Sequence, residues 1–487
     1  MKEGYSSAIQ LTGVSDYIPS TQECIKPLEN EEEMDYTAMD DDILMETEGL
    51  VTFHRDEEGV YEVDASGDKK KLKAAEITLA DCLACSGCVT SAESVLVNAQ
   101  SITEFQKQVK EAKKRGEAIW MSVSPQVKAS IAAHYDMDIK DAWEGIIQFL
   151  QEKYGADRVM DTNRARQMAH YQMAEEFIRR YKEKEALPML VAVCPGFVCY
   201  MEKNHGDFIN NLSKTKSPQA IMGQKMAEQQ QPYYHAAFMP CYDKKLEASR
   251  KEFANPEPET AIVLTATELI ELMDDEKFDL QKHTTPKQQN PSLFKDIGNE
   301  NMVLDHQFIG SGGYLEYVMV IAAKVLFDRD VKKIVYKKKR NNDFQHTEIV
   351  DEHGNVLLKF AKAYGFRNIQ NIVRQLESQK SPYHFVEVMA CPSGCNNGGG
   401  QLGDASENRK ERVHRLENVE KVYRSTHDIQ DATTHVQQHL KTKKLLQNET
   451  FLTTYNKLTP ERDGMKQRQL DRKPNGKPVI TTDMVDW

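Results

Sequence analysis

The chain lacks any run approaching the roughly 20 apolar residues that cross a bilayer. No apolar stretch follows Met1-Lys2, so neither membrane insertion nor secretion is expected. It also lacks an excess of positive charge. Its 63 Lys and Arg stand against 75 Asp and Glu, and the net charge of -12 argues against general nucleic-acid binding. Its histidines, including His134, His170, His235 and His384, show neither H-E-x-x-H nor another paired metal spacing and are assigned no role. No P-loop and no dinucleotide glycine fingerprint occurs. What remains is a 487-residue chain, long enough for a large core and for roughly two or three domains. The expected compartment is cytosolic or nuclear, where clustered cysteines more often bind metal than form disulfides.

Nine cysteines are present, and their pattern carries the information. Cys82, Cys85 and Cys88 form C-x2-C-x2-C, a spacing that lets one looping segment cap three corners of an iron-sulfur cube. The fourth ligand must come from elsewhere. Cys88 is followed by Val89-Thr90-Ser91 and by no cysteine before Cys194, which leaves Cys24 as the upstream candidate. Cys24, Cys82, Cys85 and Cys88 are therefore expected to form one site. Zinc is the competing occupant, but it favours two C-x2-C knuckles or cysteine and histidine pairs, and this region has no second knuckle.

Between Cys24 and the triplet, Glu29-Asn30-Glu31-Glu32-Glu33 and Asp40-Asp41-Asp42 repel one another and have little to bury, as in a solvated insertion. Ser101-Ile102-Thr103-Glu104 is a capping box opening a helix that runs to Gly116, and a buried strand follows from Ala118 to Val123. Beyond it, apolar runs alternate with amphipathic helices, the pattern of an α/β fold with a mainly parallel sheet. Three of those runs end in cysteine: Leu190-Val191-Ala192-Val193 at Cys194, Ala236-Ala237-Phe238-Met239 at Pro240-Cys241, and Phe385 to Ala390 at Cys391. Loops diverge from the carboxyl ends of such strands and form crevices there, so Cys194, Cys241, Cys391 and Cys395 are expected to make a second, buried site. Gly398-Gly399-Gly400 would let the backbone approach a bulky group. The basic stretch 332–340 precedes turn and strand signals and is read as part of a solvated β-meander. Cys199 is expected to be a buried thiol. The division is then 1–115, an N-terminal cluster-binding region with an acidic insertion; 116–450, the core; and 451–487, a flexible tail.

Three segments, Val193-Cys194-Pro195-Gly196-Phe197, Met239-Pro240-Cys241-Tyr242-Asp243-Lys244-Lys245-Leu246-Glu247 and Glu387 to Gln401, resemble in order the three signature loops of iron-only hydrogenases. Weaker echoes extend the resemblance over roughly residues 117 to 450. Within that superfamily, Ser7 to Leu11 and Gln22 to Pro27 resemble the start of the hydrogenase-like proteins of cytosolic iron-sulfur assembly, the Nar or nuclear prelamin A recognition factor-like group. The resemblance implies a two-lobed hydrogenase-like core with a small N-terminal iron-sulfur domain. It also implies two 4Fe-4S clusters, one on Cys24, Cys82, Cys85 and Cys88 and one on Cys194, Cys241, Cys391 and Cys395. The implied role is assembly and delivery of clusters to cytosolic and nuclear apoproteins; the alternative is an electron-transfer or hydrogenase-type oxidoreductase.

Two departures weigh against hydrogen turnover. Val193 stands where hydrogenases carry a proton-relaying cysteine, and an aliphatic side chain cannot exchange a proton. Leu402 replaces a proline that commonly closes the third signature, whereas Lys244 and Glu247 persist. The last residues, Val485-Asp486-Trp487, resemble the chain ends by which cargo and adaptors of the pathway are recognised. Asp486 and Trp487 are therefore expected to bind the cytosolic targeting complex with its WD40-repeat adaptor, alongside scaffold proteins.

Overall fold

The computed structural model describes residues 99–457 apart from 230, 255–257, 283–292, 294–301, 304–309, 332, 339–341, 404–406, 426–427, 430–431 and 446–450, together with the short strands β1 (Thr52–Asp56), β2 (Gly59–Val63) and β3 (Lys69–Lys71). Cys24, Cys82, Cys85, Cys88, Asp486, Trp487 and the acidic run at 29–42 lie outside the described residues.

The first lobe grows from β4 (Ala118–Val123), whose residues are almost all apolar and are buried on both faces, as a central parallel strand requires. Before it, α1 (Ile102–Arg115) starts where Ser101 Oγ accepts from Glu104 N at 3.3 Å and ends at Gly116, whose φ of 73° closes the last turn. Only half of the expected capping box forms there, because the Glu104 carboxylate takes the Gln108 amide at 2.9 Å. After β4 come α2 (Pro125–His134), α3 (Ile139–Tyr154) and β5 (Arg158–Asp161). The chain then builds α4 (Asn163–Glu183), β6 (Met189–Leu190), α5 (Pro195–Asn204) and α6 (Pro218–Ala227) before returning to the first sheet with β7 (Tyr233–Met239). The helix α7 (Asp243–Ala248), β8 (Ile262–Thr265) and α8 (Ala266–Asp275) complete this lobe. Its sheet, in the order β5-β4-β7-β8, is parallel throughout.

The second lobe takes β9 (Met302–Val303), α9 (Tyr314–Phe327), β10 (Lys337–Lys338), β11 (Phe344–Val350), β12 (Val356–Tyr364), α10 (Phe366–Glu377) and β13 (Phe385–Met389). Its sheet runs β10-β11-β12-β13-β6: parallel where β12, β13 and β6 pair, antiparallel at the β10-β11-β12 edge. That edge is the expected meander, and Lys337 of the basic stretch binds Glu348 on it at 2.8 Å. The helix α9 is apolar almost all round and packs against both α4 and the sheet, which a helix with a single apolar stripe could not do. β6 is shorter than the apolar run 190–193. The chain keeps one more sheet bond, Val191 N to Val386 O at 3.0 Å, and then turns into α5.

Near the carboxyl end come α11 (Arg409–Ser425), β14 (Asp428–Ile429) and α12 (Ala432–Leu445). Residues 451–457 then pack back on the core. Phe451 is fully buried, Lys216 N and Thr453 N bond across to Phe451 O and Lys214 O at 2.8 Å, and Asn456 N reaches Glu202 at 3.0 Å. The packed body thus reaches Lys457, past the boundary at 450 that composition suggests.

Candidate metal centre

Each cysteine loop of the core leaves the carboxyl end of a strand. Cys194 follows β6 and caps α5, with Pro195 in the first turn. Cys241 follows β7 and precedes α7, and Cys391 and Cys395 follow β13. β6 and β13 are neighbours in the mixed sheet whereas β7 belongs to the parallel one, so the loops that carry the four thiols come from both lobes.

Burial pushes all four thiols above the usual range: Cys194 upward, Cys241 and Cys391 well upward, and Cys395 to about 12. Their charges then oppose one another, and the Asp243 carboxylate opposes Cys194, Cys241 and Cys391. Lys244 partly offsets this at Cys194 and Cys395, and four thiols in mutual range are a donor set whose anionic forms a bound iron-sulfur group would stabilise. Cys194 is buried, and Cys241, Cys391 and Cys395 keep part of their surface accessible. Among the described residues no three His, Cys, Asp or Glu side chains gather to hold one metal ion. Backbone amides are supplied as well: Ala390 N lies 3.4 Å from Cys194 Sγ, and the Gly399 amide donates to Cys391.

Two of the three glycines also have close protein neighbours. A Cβ on Gly398 would collide with the Pro240 carbonyl, and one on Gly400 with the Thr265 side chain. They let the third loop press against the Cys241 loop of the other lobe. Gly394, with φ at 88°, is confined in the same way by Ser311, whose hydroxyl accepts from Cys395 N at 3.1 Å.

Lys244 does not project freely toward the thiols. It donates to Val193 O at 3.0 Å and to Glu247 at 2.7 Å, and Glu247 in turn accepts from Ser217. Val193 is buried in the core of the second lobe. Leu402 has a physical reason to replace proline: its amide donates to Ser130 Oγ at 3.2 Å, a bond proline cannot make, and its side chain fills the core of the first lobe.

Sequence reading missed the residues that hold the Gly310–Gly313 loop beneath Cys395. Gln126 donates to Gly310 O at 2.9 Å, His170 bonds Gly312 O at 2.7 Å, and Glu420 on α11 receives both Gly310 N and the Asn396 amide at 3.0 Å. Their partners lie more than 20 residues away and no spacing announces them. His235 is a satisfied core histidine, bonded to Ser122 at 2.8 Å and to Glu259 O at 3.1 Å; burial lowers its pKa to about 4. Cys199 is half-buried rather than buried and lies in the field of Arg250, which is paired with Glu202 at 2.7 Å.

Residues 117–399 match the family model of the iron-only hydrogenase large subunit, C-terminal domain. The chain is 41% identical over 440 residues to the cytosolic Fe-S cluster assembly factor narfl of Xenopus tropicalis, covering 86% of this chain and 89% of that one. It is 40% identical over 448 residues to cytosolic iron-sulfur assembly component 3 of Rattus norvegicus, with 87% and 90% covered. Among solved structures, one from a study of FeFe-hydrogenase oxygen inactivation matches with a TM-score of 0.60 at 20% identity, covering 73% of this chain and 99% of that chain. The apo FeFe-hydrogenase of Chlamydomonas reinhardtii matches with 0.57 at 21%, covering 70% and 94%. The hydrogenase likeness is one of fold, while sequence identity along most of the chain is with the assembly factors, and this chain belongs to that family, the cytosolic Fe-S cluster assembly factors built on the iron-only hydrogenase domain.

Proposed function

We propose that this protein is a two-cluster component of the cytosolic iron-sulfur protein assembly machinery and helps deliver clusters to cytosolic and nuclear apoproteins. One 4Fe-4S cluster is held by Cys24, Cys82, Cys85 and Cys88, the other by Cys194, Cys241, Cys391 and Cys395. The observation that carries the reading is four thiols from two lobes within electrostatic range of one another, in a chain with Val193 at the position that resembles the hydrogenase proton relay. A bound cluster supplies positive charge that stabilises the thiolates, and electron storage. The protein residues do the rest. Ser311 orients Cys395, the amides of Ala390 and Gly399 face Cys194 and Cys391, and Val193 leaves the relay position without a proton carrier while Lys244 is held by Val193 O and Glu247. No hydrogenase activity is expected. The tail ending in Asp486-Trp487 docks on the WD40-repeat adaptor of the targeting complex.

The test is anaerobic reconstitution with iron and sulfide, followed by Mössbauer and infrared spectra of the intact chain and of Cys82→Ala and Cys391→Ala. Two 4Fe-4S signals, one lost in each variant, with no bands from diatomic iron ligands, support the reading. Diatomic-ligand bands return the chain to hydrogenase chemistry, and tightly bound zinc in the Cys82 set overturns the N-terminal assignment. Deleting Trp487 weakens capture by the targeting complex; unchanged capture removes that part.

A further inference from the structure

The loop after β13 carries two of the four core thiols, one opening a tight turn and the other just past it. Gly394 N bonds Cys391 O at 3.1 Å and so closes the turn Cys391-Pro392-Ser393-Gly394. Proline stands second in it, and Ser393, the third residue, has a φ of 59°. That is the pattern of a type II turn, whose third residue needs a left-handed backbone and is normally Gly or Asn. Serine has no preference for that conformation. The type I turn suits the same proline and a right-handed third residue, and it is reached by flipping the peptide that joins Pro392 to Ser393. Both ends of that peptide are held by side chains. Its N–H donates to Asp343 at 2.8 Å, and its carbonyl accepts from the Asn397 amide at 3.1 Å. Burial pushes the Asp343 carboxyl up, and the two hydrogen bonds that pull it back, from the N–H and the hydroxyl, are both from Ser393. Asp343 immediately precedes β11 and is fixed there, its own carbonyl accepting from Tyr364 N at the end of β12 at 2.9 Å. Side-chain packing does not fix the turn on this side, where it borders a cavity of about 990 Å³ lined by Asp343, Tyr364, Ser393 and, from α11, Leu416, Glu417 and Glu420.

We propose that Asp343 is a positioning residue for the iron-sulfur group on the core cysteines: with Asn397 it imposes the turn that holds Cys391 and Cys395 as a pair, against the preference of the serine between them. The inference rests on the core ligand set proposed above. Cys391 and Cys395 lie in electrostatic range of each other and of Cys194. A thiol pair that is ordered before the group arrives loses little freedom on binding it, so the order of the turn slows release. Glycine at position 393 would supply that order from the turn itself, because it takes a positive φ without strain. Serine leaves the task to the Asp343 carboxylate, 50 residues earlier in the chain. The ligand pair therefore depends on the start of β11, an antiparallel strand that itself delivers no cysteine.

The experiment uses the full chain and compares Asp343→Ala, Asp343→Asn and the double variant Asp343→Ala with Ser393→Gly. In the metal-free chain, alkylation of Cys391 and Cys395 by iodoacetamide is followed by peptide mass spectrometry. In the anaerobically reconstituted chain, carrying Cys82→Ala so that the core group is the one observed, loss of iron to a chelator is followed. Burial holds both thiols above their usual range, so alkylation reports how far the loop opens. Asp343→Ala is expected to speed alkylation at both sites, and iron release, each about ten-fold, as the loss of a charge-assisted hydrogen bond allows. Asp343→Asn keeps an acceptor for Ser393 N–H and is expected to stay within about three-fold of the unaltered chain. The double variant is expected to return to the unaltered rates with the carboxylate still missing, because glycine restores the turn. Unaltered rates in Asp343→Ala overturn the proposal. So does a double variant as fast as Asp343→Ala, which would make Asp343 a support of β11 and not of the turn. If Asp343→Ala fails to fold, Asn397→Ala frees the other end of the same peptide and is paired with Ser393→Gly in the same test. Failure of the core ligand set is seen separately, as a Cys391→Ala chain that keeps all its iron, and leaves the alkylation result standing.

Discussion

The two sheets that meet at the thiols are built differently and contribute unequally. The first lobe's sheet is parallel throughout, and all its strand ends face one edge, yet it delivers only Cys241. The second lobe's sheet is mixed and delivers Cys194, Cys391 and Cys395, all from its parallel part, β13 and β6; its antiparallel strands β10 and β11 carry none. Parallel neighbours bring their carboxyl ends, and so their loops, to one side, whereas an antiparallel hairpin sends alternate ends away. A site can therefore draw three ligands from a short parallel patch. Bound as proposed, with Cys241 as its fourth ligand, the group would staple two separate cores together.

If the staple is real, removing the lone thiol of the first lobe costs as much as removing one of the three opposite. Cys241→Ala and Cys391→Ala are each expected to abolish the second cluster, a drop of about four iron per chain by colorimetric assay. Full iron in Cys241→Ala would reduce the first lobe to a bystander. A stapled pair of cores also unfolds together when loaded and separately when stripped. Calorimetry of the loaded chain is expected to show one transition and that of the metal-free chain two; a single unshifted transition in both states contradicts the comparison. Within the second lobe, Phe451→Ala empties a fully buried site and should destabilise by about 3–5 kcal/mol, read as a lower denaturant midpoint. Within the first, Leu402→Pro removes the donor to Ser130 and should cost about 1–3 kcal/mol.

The smallest effect concerns acid. Burial opposes ionisation of Glu175 on α4, but hydrogen bonds from His439 and Lys443 on α12 overrule it and lower its pKa to about 2. The folded value lies below the unfolded one, about 4.3. The stabilisation is therefore full above about pH 5 and disappears as pH falls toward 2. Glu175→Gln should flatten the acid limb of the urea midpoint against pH over that window, and an identical limb would show that this pair does not hold α12 to the second lobe.

Much of the fold was legible because it rests on local signals. The strand Ala118–Val123, the Ser101 and Gly116 ends of α1, the apolar runs ending in Cys241 and Cys391, and the meander beyond 340 all follow from periodicity and turn chemistry. The run at 190–193 overstated β6, because an apolar segment turning into a helix looks like strand until the partner strand ends. A second requirement on Gly398 and Gly400 was hidden for a related reason. A glycine reports that something comes close, and only the packed loops reveal that the neighbours are Pro240 and Thr265.

By itself the sequence determined the α/β class, the three cysteine loops and their likeness to the hydrogenase family, because strand pattern and ligand spacing are properties of short segments. Tertiary structure alone decided that the four thiols come from two lobes, that Glu420, Gln126 and His170 hold the loop beneath Cys395, and that Lys244 and Lys245, adjacent in sequence, serve opposite sides of one helix. Those pairings join residues far apart along the chain. They exist only because burial leaves each polar group with whichever partner the finished packing brings within reach.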